Sequence, residues 1–183
     1  MQTIVLGSSS ITRAELLSRF GIPFIQRDAG FDEEQLRITN PAHFVYHATK
    51  GKMQSYLEKY DLEIPVLCAD TVVTANGEIL RKAKDKTDAR RILKAQSGNT
   101  VSILTCMIYK SSACELIDLS STEYLFLPFD TQSLDAYLEG DDWKGKAGAC
   151  MVEGFCKSYI KEVKGLESTA MGLSVEKLRP FLT

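Results

Sequence analysis

Residues 4–17 read IVLGSSSITRAELL. Ile4, Val5 and Leu6 form a short apolar run that suits a buried strand, whereas Ala14, Leu16, Leu17 and then Phe20 recur on one face of a helix. Between the two runs stand a glycine, three serines and an arginine. A strand that ends in small polar residues and reopens as a helix is one way to build an anion site. Its free backbone N–H groups and the positive end of the helix dipole converge on the ligand. The same residues also make an ordinary strand-to-helix turn with a serine cap. The rest of the chain has to separate these two readings.

Outward from this stretch, IPFIQR (22–27) reads as a short strand, and GFDEEQLRITNP (30–41) as a polar loop rich in carboxylates. From Pro41 to Tyr60 the apolar positions Phe44, Ala48, Met53, Tyr56 and Leu57 indicate a helix. VLCADTVVTANGEIL (66–80) gives two strand-like runs around Ala75-Asn76-Gly77, and Asn-Gly is a strong hairpin signal. DKTDARRILKAQSG (85–98) is an amphipathic helix that turns Ala89, Ile92 and Leu93 inward and ends at Ser97-Gly98. Two β-rich stretches follow, around 100–110 and 114–127, with a turn near Ser111-Ser112 and then a short helix in TQSLDAYLEG (131–140). The tail from Gly148 is expected to add two short strands and a helix near 174–182. Strands alternating with helices, plus hairpins in the second half, predict an α/β fold: a mixed sheet with flanking helices and two lobes around a cleft, in a single domain over 1–183.

Composition sets limits on function. With 183 residues the chain is long enough to bury a real core, and its 44% hydrophobic and 25% charged content is that of an ordinary globular protein. A formal net charge of −2 provides no global field for nucleic acid, so an anion site must be a local cluster of basic residues. No apolar run reaches the length of a membrane span, and the N-terminus shows no basic flank before an apolar segment, which predicts a cytoplasmic protein without a membrane partner. Cys68, Cys106, Cys114, Cys150 and Cys156 contain no CxxC pair and are odd in number, so all are expected to be free thiols, mostly buried. His43 and His47 lie in the helix after Pro41, where a structural or surface role is expected.

Asp70 is the most informative single residue. It stands between Leu67-Cys68-Ala69 and Val72-Val73, and a carboxylate in a strand-like apolar run requires a cation, a metal or hydrogen bonds. It reads either as a strand-end cap or as a metal ligand or general base that deprotonates water. The loop acids Asp32, Glu33 and Glu34 read as solvated, or as partners in a Mg²⁺ site, since that ion takes oxygen ligands and keeps several waters. Lys50, Lys82 and Lys146 lie beside apolar or glycine-rich segments. Together with Arg13 and two acids they make a set suited to a metal–polyphosphate ligand.

In order and spacing the chain resembles the Maf family of nucleoside triphosphate pyrophosphatases, named for a septum-formation inhibitor, nearly from end to end. That family opens with a strand and Leu-Ala-Ser-x-Ser-Pro-Arg-Arg before a Leu-Leu pair. LGSSSITRAELL keeps Ser8, Ser10, Arg13, Leu16 and Leu17. The family's acidic loop matches FDEE, with Glu33 as the counterpart of its glutamate, and its helical lysine resembles Lys50 in YHATKGK. Ala-Asp-Thr-Val-Val is intact as Ala69–Val73; GEILRKA supplies Lys82, with Ala83 in the usual place of a proline. The turn Gln96-Ser97-Gly98, the Lys146–Gly148 segment and GLSV (172–175) complete the pattern.

The resemblance implies a fold of the Maf and inosine triphosphate pyrophosphatase type, often dimeric. It also implies hydrolysis of a nucleoside triphosphate to the monophosphate and pyrophosphate with a divalent cation, Mg²⁺ or Mn²⁺. By it, Asp70, Lys82 and Glu33 are the catalytic residues, and Asp70 and Glu33 hold the metal. Ser8, Ser10, Thr12, Arg13, Lys50, Thr71, Lys146 and Glu153 contact the substrate. The base is left open: Thr71 matches members that act on dTTP and UTP, Glu153 matches members that act on 7-methyl-GTP, and Thr12 matches neither. Thr12-x-x-Glu15 is also a capping-box pattern. A house-cleaning enzyme for non-standard or pyrimidine nucleotides is the reading favoured. The alternative is a nucleotide-binding regulator of cell division that works without turnover.

Overall fold

The computed structural model describes residues 2–152 and 154–182, with Glu34 described by its backbone alone. The first half alternates strands and helices: β1 (Ile4–Leu6), α1 (Ile11–Arg19), β2 (Phe24–Gln26), a 3-10 turn (Glu33–Gln35), α2 (Pro41–Leu57), β3 (Val66–Ala75) and β4 (Glu78–Leu80). Then come α3 (Lys86–Gln96), β5 (Thr100–Lys110), β6 (Glu115–Phe126), α4 (Thr131–Glu139), a 3-10 turn (Phe155–Tyr159) and β7 (Ile160–Lys164). Two short helices, α5 (Glu167–Ala170) and α6 (Val175–Leu178), and a 3-10 turn (Arg179–Phe181) end the described chain. The seven strands make one mixed sheet in the order β2-β1-β3-β5-β6-β7, with β4 on β3. β1 runs parallel to both β2 and β3, whereas β4 and β7 are antiparallel to β3 and β6.

The α/β class and mixed sheet expected from the sequence are those observed. The Asn-Gly hairpin forms with both residues at positive φ, 53° at Asn76 and 79° at Gly77, as a tight turn between twisted strands requires. Two expectations are corrected. The tail from Gly148 contributes one strand and a 3-10 turn, not two strands: Phe155–Tyr159 winds its aromatic residues onto Phe129 and Tyr137. Cys150 and Cys156 are joined in a disulfide across six residues, their Cα atoms 6.6 Å apart. The absence of CxxC hid this pair, because a separation of six residues is not a spacing that marks a pair in sequence. Cys68 and Cys106 are free and buried, and Cys114 is free and exposed. No described helix is long and apolar enough to cross a membrane.

The chain divides into two units: Met1–Thr71 with Leu104–Ser121 and Leu166–Thr183, and Val72–Ile103 with Thr122–Gly165. In the first unit, strand alternation builds a core on each face of the sheet. Ile4, Leu6, Leu67, Ala69, Met107 and Tyr109 pack with Leu16 and Leu17 of α1 and with the C-terminal Leu173, Val175 and Leu178. The intervening residues Val5, Val66, Cys68 and Ile108 pack with Met53 and Tyr56 of α2. The two helices lie on opposite faces because β2 and β3 flank β1 on opposite sides, and crossovers of one hand that run in opposite directions cover opposite faces. The second unit centres on Ile92 and Leu93 of α3, Leu134 and Leu138 of α4, and an aromatic cluster around Phe126 and Phe129.

Candidate functional site

In an open α/β sheet, ligands gather beyond the strand ends at the point where the strand order reverses. Here that point lies between β1 and β3 of the first unit. β1 ends at Leu6, paired with Leu67, so β3 runs on past it and carries Asp70 and Thr71 beside the turn Gly7–Ser10. Gly7 permits this approach: a Cβ there would stand 2.5 Å from Cys68 Sγ.

The turn does both things that its sequence allows. Ser10 caps α1 by accepting from the Arg13 amide at 3.4 Å, so the cap is Ser10 and not Thr12, which lies half-buried inside the first turn. This corrects the capping-box expectation, since a β-region backbone at Ser10 starts the helix two residues earlier. Ser8 Oγ is buried and accepts from the Ser10 amide at 3.2 Å and from Arg13 Nη1 at 3.1 Å. Gln26 Nε2 ties the turn down from β2 by donating to the Ser8 carbonyl at 2.8 Å.

Asp70 and Thr71 face opposite sides of the sheet. Asp70 shares the α2 side with Val66 and Cys68, where Lys52 Nζ donates to its Oδ1 at 2.5 Å. The same ammonium pairs with Glu33 Oε2 at 3.0 Å. Burial pushes the Asp70 carboxyl above the usual carboxylate range and Glu33 adds to the rise, while Lys52 and then Arg13 oppose it. The Cys68 thiol on the same side is raised to about 12, mainly by burial. The Arg13 guanidinium is buried, which lowers its pKa, while Asp70 and Glu33 pull the other way.

The lysine that meets the carboxylates is Lys52, not Lys50. Lys50 is exposed, and at 3.6 residues per turn the two stand about 200° apart around α2. A finer reading of the sequence finds Lys52: it continues the buried stripe of Val45, Thr49 and Tyr56. Phe31, two residues before Glu33, lays its ring over Gly51, where a Cβ would come within 2.3 Å.

In the second unit Lys82 is exposed and Lys146 half-buried, and an isolated β-bridge joins Lys82 to Ala147. Gln96 Nε2 holds that segment through the Gly148 carbonyl at 2.7 Å, and Tyr137 Oη through Ala149 at 3.1 Å. Glu153 lies outside the described residues. The histidines, both exposed, stand apart from these groups on the surface of α2.

The donor set fits a divalent cation of the Mg²⁺ kind. Two carboxylates from separate segments already converge on one positive group, and such an ion commonly takes one or two carboxylates with the rest of its shell from water and phosphate. Among the described residues no cluster of three or more His, Cys, Asp or Glu side chains forms a closed metal site.

Comparison with known proteins agrees in outline. A Nitratiruptor sp. protein named nucleoside triphosphate pyrophosphatase is 59% identical over 177 residues, covering 96% of each chain. A protein of the same name from Helicobacter pylori is 41% identical over 175 residues, 96% of this chain and 92% of its own. The Campylobacter jejuni counterpart is 35% identical over 182 residues, 98% of this chain and all of its own. In fold, the chain is similar to the Ham1 protein of Staphylococcus aureus, with a TM-score of 0.56 over 99% of this chain and 98% of that one, at 11% identity. The family model described as Maf-like protein matches residues 3–183, and the chain belongs to the Maf family.

Proposed function

We propose that the chain is a nucleoside triphosphate pyrophosphatase that hydrolyses its substrate to the monophosphate and pyrophosphate with a divalent cation, in house-cleaning of non-standard or pyrimidine nucleotides. The observation that supports this reading best is the buried Asp70, held with Glu33 by the Lys52 ammonium at the switch point of the sheet. The names of the relatives above agree with it. A protein that only binds nucleotide has no need to bury a carboxylate, and that tells against the regulator reading.

Water attacks the α-phosphorus, the bond to the bridging oxygen breaks, and pyrophosphate leaves. The proton of the attacking water goes to the Asp70 carboxylate, whose affinity for protons is raised by burial. Arg13 and Lys52 offset charge on the polyphosphate. The first-turn amides of α1, beyond those engaged by the Ser10 cap, orient it together with Ser8 and Ser10. Mg²⁺ or Mn²⁺, when held by Asp70 and Glu33, would supply further charge neutralisation on the phosphates. Lys82 and Lys146 are assigned to phosphate charge on the sequence pattern, and Thr12, Thr71 and Glu153 to the neighbourhood of the base. Lys50 is replaced in this scheme by Lys52.

A panel of standard and modified nucleotides, with pyrophosphate release measured in Mg²⁺ and in Mn²⁺, tests the proposal. Cleavage concentrated on pyrimidine or modified nucleotides is expected. Binding of every nucleotide with cleavage of none defeats the enzyme reading and favours the regulator. Thr12→Arg and Glu153→Gln, each expected to shift preference toward UTP or dTTP, locate the base.

A further inference from the structure

On the α1 side of the sheet a run of hydroxyl groups has a direction that elementary hydrogen-bond chemistry determines. Thr105 Oγ1, fully buried on β5, lies 2.7 Å from the Thr169 carbonyl. A carbonyl only accepts, so the single Thr105 hydroxyl proton is committed to that bond. Thr71 Oγ1 is 2.9 Å from Thr105 Oγ1, and with the Thr105 proton already used, Thr71 must donate. Arg13 Nη2 is 3.0 Å from Thr71 Oγ1, and a guanidinium has no lone pair, so Thr71 must accept there. The order is therefore Arg13 to Thr71 to Thr105 to Thr169. Arg13 Nε closes the circuit by donating to the Gly172 carbonyl at 3.0 Å, three residues beyond Thr169.

We infer that Thr105 is a positioning residue for Arg13. By taking the Thr71 proton it presents the Thr71 oxygen to the guanidinium as an acceptor, and so sets the orientation of the charge beside Asp70. Among the described residues Ser8, Thr71 and Gly172 engage three of the five guanidinium N–H donors, which leaves one on each terminal nitrogen for an anion. Thr71 has no proton left for a nucleotide base, so any contact it makes with one is as an acceptor. The catalytic part of this inference rests on the phosphate role proposed for Arg13; the orientation of the guanidinium does not.

The test therefore has two readouts. In ¹⁵N-labelled protein without nucleotide or metal, the Arg13 Nε–H signal, assigned by its loss in Arg13→Lys, is expected to exchange slowly with solvent. Thr105→Val keeps the shape but removes the proton acceptor, and should speed that exchange by about tenfold or more, while Thr105→Ser keeps it slow. In pyrophosphate release, Thr105→Val should lower kcat by about tenfold with KM within about twofold, Thr105→Ser should recover, and Thr71→Val/Thr105→Val should be no worse than Thr71→Val alone. Unchanged Arg13 exchange in Thr105→Val, or losses that simply add in the double variant, overturn the inference. If Thr105→Val does not fold, Thr71→Val at its half-buried site carries the same exchange test, and slow exchange there is equally fatal. Absence of turnover in the unmodified protein counts against the enzyme reading alone, because the exchange measurement still decides on Thr105.

Discussion

Asp70 and Thr71 are consecutive residues of one strand, yet the two sides of the sheet they face are built from different chemistry. On the α2 side, two carboxylates share one ammonium in a partly dry setting. On the α1 side, one buried guanidinium starts a directed chain of hydrogen bonds that runs through uncharged hydroxyls to a backbone carbonyl. In the function proposed above, the charged side exchanges partners, a divalent cation or a phosphate competing for the same groups. The threonine hydroxyls have no proton to spare, because those of Thr71 and Thr105 are already committed. The proposed reacting carboxylate and its fixed counter-charge are thus set apart by the smallest device a strand offers, its alternation.

The largest expected effect comes from breaking the charged side. Asp70→Asn keeps the shape and should lower pyrophosphate release by about a thousandfold or more. Near-normal turnover would remove Asp70 from the chemistry. Lys52→Met leaves two carboxylates without their cation, and urea denaturation at neutral pH should show a loss of about 3 kcal/mol.

The pH dependence of stability should separate the two sides. Burial raises the Asp70 pKa above 3.8, so the folded state binds that proton more tightly than the unfolded chain. The contribution of Asp70 to stability is therefore greatest below pH 3.8 and declines as the pH rises through the raised value. In metal-free buffer this decline should disappear in Asp70→Asn and persist in Thr105→Val. A decline of the same size in Asp70→Asn would assign it to another group.

Smaller effects sharpen the picture of α2. Gly51→Ala gains about 1 kcal/mol of helix propensity but collides with the Phe31 ring, which must move. Stability should change little, while turnover falls as the Glu33 turn is displaced; unchanged turnover would show that Phe31 does not hold Glu33 in place. Lys50→Ala should change stability by less than about 0.5 kcal/mol and leave turnover near normal. A large loss of turnover would restore the sequence-based choice of Lys50 over Lys52.

Much of this was legible in the chain itself. The run IVL followed by GSSS, the Asn-Gly hairpin and the amphipathic helices determined the elements and the α/β class, because periodicity and turn chemistry are local properties. A carboxylate in an apolar strand, at Asp70, marked a place that needs a partner, because burial of an unpaired charge is costly wherever it occurs, and Lys52 is that partner. The tertiary structure decided what depends on direction and distance. It chose Lys52 over Lys50 by the facing of a helix, and Ser10 over Thr12 by one residue's backbone angles. It joined Cys150 to Cys156 across a turn, and it linked Arg13, Thr71, Thr105 and Thr169 across separations of 34 to 64 residues. Sequence spacing carries no trace of such contacts, because they form only when packing brings distant strands and helices to hydrogen-bond distance.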